Sequence, residues 1–211
     1  NREGMWVCEA CFVTIGCLGV HACPVCHAPS ADSGACSACA KSSFLSGHRA
    51  VCQYREGSLL GRLIHVFKYE FAEDSLSAIG QILRPYLINH RGAFAPVDLI
   101  IPVPLHRRRF AERGFNQSEF IARLVGEVIE RPVMPALRRG RYTQVQARLN
   151  RVERIENVQE AFALKKGVPV AGKKILLVDD VYTTGSTMQE CARVLLAAGA
   201  LQVAGFTVAR G

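Results

Sequence analysis

A chain of 211 residues, 49% of them apolar, can bury one substantial core and leave room for a small module beside it. No apolar stretch approaches the eighteen or so residues of a membrane span; the short run at 12–20 contains Cys17 and follows Glu9, which argues against a signal peptide, so a soluble protein is expected. The formal charge of +8 is unevenly placed, because residues 102–156 hold twelve arginines, no lysine and six acids, or +6 of the total.

Cysteines dominate the start. Eight of the nine (Cys8, Cys11, Cys17, Cys23, Cys26, Cys36, Cys39, Cys52) fall in the first quarter, and Cys191 reads as core. Cys8/Cys11, Cys23/Cys26 and Cys36/Cys39 have Cys-x-x-Cys spacing. The last two pairs stand nine residues apart with Gly and Pro between them, a spacing that suits tetrahedral zinc; the alternative is a disulfide framework of the kind found in secreted domains. Cys8 and Cys11 would need further ligands from Cys17, Cys52, His21 or His27. The sequence opens on Asn1, so loss of a preceding pair that would orphan Cys8/Cys11 is also expected. A thioredoxin-like role would need a single such pair between strand and helix.

Residues 51–54 read as the first strand of a larger domain, which divides the chain into a cysteine-rich module (1–52) and a body (53–211). Apolar spacing predicts a helix over 59–67 with a basic end at Lys68, and a second over 75–87. Residues 98–104 are a buried strand stopped by Pro102 and Pro104. The loop at 106–118 follows, carrying Arg107, Arg108 and Arg113, and then a helix over 119–129 with Leu124 and Val128 inward. Arginines at a strand's carboxyl end suit bidentate contact with phosphate or pyrophosphate. Residues 143–157, with Gln144, Gln146, Arg148, Asn150, Arg151 and Arg154 and few large apolar side chains, read as a mobile basic flap.

The most informative stretch comes late. Ile175-Leu176-Leu177-Val178 is a strand buried on both faces, and Asp179-Asp180 follow at its carboxyl end, where at least one must reach the crevice above the sheet. Thr183-Thr184-Gly185-Ser186-Thr187 is small and hydroxyl-rich, a loop able to turn amides toward an anion. Ser186 and Gln189 read as a capping box opening a helix to about Ala198, whose positive end points at the same loop. No Gly-x-Gly-x-x-Gly or Gly-x-x-x-x-Gly-Lys-Ser/Thr signature competes. Strand, loop and helix alternate, so the fold class is α/β with a parallel sheet flanked by helices.

The run at 175–187 resembles the thirteen-residue phosphoribosyl pyrophosphate (PRPP) motif of type I phosphoribosyltransferases. That resemblance implies that Asp179 and Asp180 hold the ribose hydroxyls. It implies that Thr183, Thr184, Gly185, Ser186 and Thr187 cradle the 5-phosphate, that Val181 belongs to the same PRPP-binding set, and that magnesium accompanies PRPP. Pro102-Val103-Pro104-Leu105, Arg107-Arg108, residues 113–118, then Thr143, Gln146, Leu149, Arg154, Asn157 and Phe162 together resemble the ComF family, from about Cys8 to the end. Its members join a cysteine-knuckle start to a phosphoribosyltransferase-type domain, and many carry a further knuckle pair, which leaves the number of metals open. A site for PRPP implies the reducing cytoplasm, which favours zinc on Cys23, Cys26, Cys36 and Cys39 over disulfides. The family implies competence-linked DNA uptake, single-stranded DNA and competence-machinery partners. Asp179, Asp180, Arg107, Arg108 and Arg113 are the implied catalytic set for transfer from PRPP. A nucleobase-salvage transferase without a DNA role is the alternative, and a PRPP-sensing regulator is a third.

Overall fold

The structure, a computed structural model, describes residues 7–15, 19–69, 73–140 and 160–211. Among them the elements run α1 (Glu9–Ile15), β1 (Val20–His21), β2 (His48–Gln53), α2 (Leu59–Tyr69), α3 (Glu73–Asn89), β3 (Leu99–Pro102), α4 (Arg107–Arg113) and α5 (Gln117–Ile129). There follow β4 (Leu137–Arg139), β5 (Phe162–Leu164), β6 (Lys174–Tyr182), α6 (Ser186–Ala197) and β7 (Gln202–Arg210). The main sheet has the order β1-β2-β7-β6-β3, with β2, β7, β6 and β3 parallel and β1 antiparallel at one edge. β4 and β5 form a separate antiparallel ribbon.

Alternation along β6 explains the layers. Leu176 and Val178 point to one face, where they join Ile100, Phe206 and Val208 under α2, α3 and α5. Ile175 and Leu177 point to the other, packing with Ile101, Val203 and the α6 residues Cys191 and Leu195. Both faces are covered, which is why the strand reads as an unbroken apolar run. Leu177 is fully buried, so its truncation to alanine would cost about 2–5 kcal/mol. Cys191 is core, as its helical setting suggests.

Several boundaries differ from the sequence expectation for physical reasons. β6 runs through the acids to Tyr182, because Asp179, Val181 and Tyr182 continue the ladder with Thr207, Ala209 and Arg210. The first parallel strand starts at His48 and spans the expected boundary at Cys52, pairing with β7. The expected loop at 106–118 contains α4, capped at its start by His106 Nδ1 accepting from the Arg108 amide and ended by Gly114 at φ 80°. α5 starts two residues before Glu119, and its most buried line is Ile121, Val125 and Ile129; Leu124 and Val128 are half-buried flanks. The Ser186/Gln189 capping box does not form. Gln189 Oε1 accepts from the amides of Phe44 and Leu45 at 2.8 and 3.3 Å, and Gly185 occupies the cap position. The basic stretch at 143–157 lies outside the described residues; Gly140 and Ala161, flanking 141–160, are joined by an amide–carbonyl bond of 2.9 Å. No helix among the described residues is long and apolar enough to cross a membrane.

Candidate functional site

The carboxyl ends of β3 and β6 open into a cleft of about 450 Å³, and two helix starts position its side chains. Asn116 at the head of α5 accepts from the Ser118 amide and donates Nδ2 to the Val103 carbonyl (3.0 Å), pinning the helix to the end of β3. Gln117 donates Nε2 to the Lys68 carbonyl (3.3 Å), so the same turn holds the end of α2. Ser118 Oγ then donates to Asp179 Oδ1 at 2.6 Å, and Lys68 Nζ stands 3.0 Å from Asp180 Oδ2.

The two acids are therefore held differently. Burial and the charge of Asp180 push the Asp179 carboxyl up to about 7, against the opposing bonds from Ser118 and the Asp180 amide. Burial works against the Lys68 charge, but Asp180 and, more weakly, Asp179 outweigh it and hold the ammonium above the usual lysine range. One carboxylate is ion-paired with Lys68, and its neighbour is poised to exchange a proton near neutral pH.

Thr183, Thr184, Gly185, Ser186 and Thr187 line the same cleft. Gly185 has φ 76°, and a Cβ there would run into the Tyr182 ring, so the loop can close over that ring only with glycine. Thr184 Oγ1 lies 3.1 Å from Ser186 Oγ and accepts from the Ser186 amide at 3.5 Å, and α6 begins at Ser186 with the positive end of its dipole at the loop. Carboxylates, hydroxyls and a helix start thus converge, and Arg109, Arg113 and Arg139 line the cleft with them. Arg109 Nη2 is buried without a hydrogen-bond partner among the described residues. Arg139 lies over the Phe162 ring at 5.1 Å; burial and Arg109 lower its guanidinium to about 10. Arg113 sits 4.9 Å from the centre of the Tyr69 ring.

The cysteines form a second centre. The Sγ atoms of Cys23, Cys26, Cys36 and Cys39 all lie within 4.8 Å of one another, and Cys26 and Cys36 are 3.7 Å apart. Zinc–sulfur bonds of about 2.3 Å give a tetrahedron with edges near 3.8 Å, so the four thiols fit a zinc ion. Burial raises the Cys23 thiol, but amide donors that include Val25 and Cys36 outweigh it and lower the thiol to about 6; Cys39, sharing protons with Cys36, is pushed up to about 12. Cys8 and Cys11, at the start of α1, join no group of three or more ligands among the described residues.

Residues 138–211 match the family model described as "Phosphoribosyl transferase domain". The "DNA utilization protein YhgH" of Salmonella typhimurium is 32% identical over 202 residues, covering 93% of this chain and 87% of that protein. The chain belongs to the ComFC/YhgH family. The Escherichia coli O6:H1 YhgH protein is 38% identical over 148 residues, or 68% of this chain, and that match spans 64% of the relative's length. The "Competence protein ComFC" of Bacillus subtilis is 29% identical over 97% of this chain and 84% of its own. Among solved structures, the "allosteric regulatory enzyme of purine biosynthesis" aligns over 68% of this chain and 29% of its own, at 21% identity and a TM-score of 0.42.

Of the residues singled out in this ComFC/YhgH-family sequence, Asp179, Asp180, Val181, Thr183, Thr184, Gly185, Ser186, Thr187 and Arg113 meet in the cleft. Arg107 and Arg108 are exposed and do not line it; Arg108 pairs with Glu112 at 3.2 Å. Lys68, Arg109 and Arg139 were not singled out. Lys68 reads as an ordinary basic helix end, and only the i, i+4 spacing of Arg109 to Arg113 on a helix could have marked Arg109.

Proposed function

We propose that the cleft binds PRPP with magnesium and that the chain transfers phosphoribose to a nitrogen acceptor. The observation that carries this reading is the convergence in one cleft of Asp179, Asp180 and the 183–187 loop at the head of α6. The loop amides and hydroxyls take the 5-phosphate, and the two acids accept from the ribose hydroxyls. Magnesium is a hard cation that prefers oxygen, and the acids and loop hydroxyls offer such ligands; when bound it neutralises pyrophosphate charge. Arg109, Arg113 and Arg139 face the departing pyrophosphate, and Lys68 holds the Asp180 carboxylate in place through their ion pair. Transfer breaks the bond from the sugar carbon to the pyrophosphate oxygen and forms one to the acceptor nitrogen, which loses its proton. Asp179, with its carboxyl near 7, is placed to take that proton. Zinc on Cys23, Cys26, Cys36 and Cys39 is structural, in a module that precedes the transferase-type body.

Pyrophosphate release from PRPP and magnesium, with nucleobases, amines and single-stranded DNA offered as acceptors, tests the reading. Acceptor-dependent release that disappears in Asp179→Asn/Asp180→Asn supports it. PRPP binding that survives the double variant sinks the site assignment.

A second reading follows from the relatives' names, which speak of DNA utilization and competence. Here the protein handles single-stranded DNA in the cytoplasm, alongside other competence proteins. Arg107 and Arg108 on the exposed side of α4, with Phe110 48% exposed beside them, offer phosphate contacts and a stacking ring. Binding that weakens steeply with salt and persists without Asp179 supports this role.

A further inference from the structure

The knuckle and the phosphate loop are joined by one buried polar cluster. Tyr182, the last residue of β6 and the one before the loop, is 2% exposed, and its Oη donates to the Pro24 carbonyl at 2.5 Å. Pro24 lies between the ligand pair Cys23 and Cys26. Arg210 at the end of β7 donates Nη2 to the Cys23 carbonyl (2.6 Å) and Nη1 to the Ala22 carbonyl (3.0 Å), with its guanidinium 4.9 Å from the Tyr182 ring centre. His48 stacks on that ring at 3.8 Å, beside Arg210. Burial and Arg210 hold His48 neutral, so its Nδ1 accepts from Arg210 while Nε2 donates to Thr207. On the loop side, Gly185 closes directly over the Tyr182 ring.

A buried tyrosine hydroxyl, an arginine and a neutral histidine are costly to enclose unless every polar atom is satisfied. Here the acceptors that satisfy Tyr182 and Arg210 are backbone carbonyls at or beside a metal ligand. Those carbonyls point correctly only while the turn at 22–26 is held, and the turn is what four thiolates around one ion would hold. The ring in turn is the surface on which the loop is moulded.

We infer that Tyr182 is a positioning residue through which the metal state of the knuckle sets the shape, and so the anion affinity, of the phosphate loop. The inference rests on the PRPP reading of that loop. Because linkage is reciprocal, PRPP must strengthen metal binding by the same factor by which metal strengthens PRPP binding. Tyr182→Phe keeps the ring and its stacking and deletes the one bond to Pro24.

The test is calorimetric PRPP affinity in excess magnesium, for wild type and Tyr182→Phe, each zinc-loaded and treated with a zinc-selective chelator. Zinc affinity by competition with a chromophoric chelator, with and without saturating PRPP, gives the reciprocal arm on protein that stays loaded at the start. Removing zinc is expected to weaken wild-type PRPP binding about tenfold, and PRPP to tighten zinc about tenfold, a coupling within the range for directly connected groups. In Tyr182→Phe both factors are expected to fall below about twofold while zinc content remains near wild type and loss of the one buried bond lowers the melting temperature by only about 2–8 °C. A purely structural tyrosine would lower stability without touching the coupling. Wild-type PRPP affinity indifferent to zinc, or a variant as strongly coupled as wild type, overturns the inference. Zinc-loaded wild type that fails to bind PRPP at all overturns the reading beneath it as well.

Discussion

Asp179→Asn is expected to stabilise the ligand-free protein at neutral and alkaline pH while removing its affinity for PRPP. Burial and the neighbouring Asp180 raise the Asp179 carboxyl from 3.8 to about 7. Between about pH 4 and about pH 7 the folded chain keeps a proton that the unfolded chain has lost, so this residue's contribution to stability falls as pH rises and levels off above that window. A displacement of that size corresponds to roughly 4 kcal/mol at most, and because the carboxylate lines an open cleft, water reduces the penalty to about 2 kcal/mol. Asparagine keeps an oxygen in the place of Oδ1, so the bonds from Ser118 Oγ and the Asp180 amide survive and only the charge is lost. Urea denaturation of wild type and variant, without PRPP or divalent ions, gives a stability difference from which other titrating groups cancel. The difference should be near zero around pH 4 and grow to about 2 kcal/mol in the variant's favour around pH 8. A difference independent of pH, or a variant less stable at pH 8, would refute the assignment of a strained carboxylate to this site.

Lys68→Met leaves Asp180, whose side chain is 11% exposed, without its counter-ion; a loss of about 3 kcal/mol is expected, with most of it restored by adding Asp180→Asn. Denaturant midpoints of the two single variants and the double variant check this, and a double variant no better than Lys68→Met argues against the pair. Gly185→Ala places a Cβ against the Tyr182 ring at a left-handed φ, so a fall in stability of at least about 1 kcal/mol and at least tenfold weaker PRPP binding are expected by melting and calorimetry. Cys23→Ser with Cys26→Ser removes two of four clustered thiols, and metal analysis should show about one zinc per chain lost; unchanged zinc content would mean the ion sits elsewhere.

What the sequence disclosed was whatever local pattern alone decides. The buried run at 175–178, the acids after it and the spacing of Cys23, Cys26, Cys36 and Cys39 are local features, and all appear where they were read. α4 was illegible because none of its residues is buried: with no apolar face there is no helical period to read. Gln189 misled for the opposite reason. Its distance from Ser186 fits a capping box, yet the amides of Phe44 and Leu45, more than 140 residues away, compete for its oxygen and win. Tertiary partners of this kind leave no trace in spacing. The same is true of Lys68, whose role comes from α2 ending beside β6.

Recognising α4 as a helix changes which arginines matter. In a loop, Arg107 and Arg108 would simply be the first cations after the strand and the natural anion ligands. On a helix each residue turns by about 100°, so Arg109 and Arg113, four apart, share the face that meets the cleft while Arg107 and Arg108 look outward. The basic cluster therefore splits into an inner pair suited to pyrophosphate and an outer pair, beside Phe110, suited to a nucleic-acid strand. Arg109→Ala with Arg113→Ala should weaken PRPP binding at least tenfold and leave affinity for single-stranded DNA within about twofold, since cleft charges contribute little to a surface contact. Arg107→Ala with Arg108→Ala should do the reverse and lower the salt slope of DNA binding by about one to two. If both pairs instead affect both ligands equally, the cleft and the DNA surface are one site, and the division drawn from the geometry of α4 is wrong.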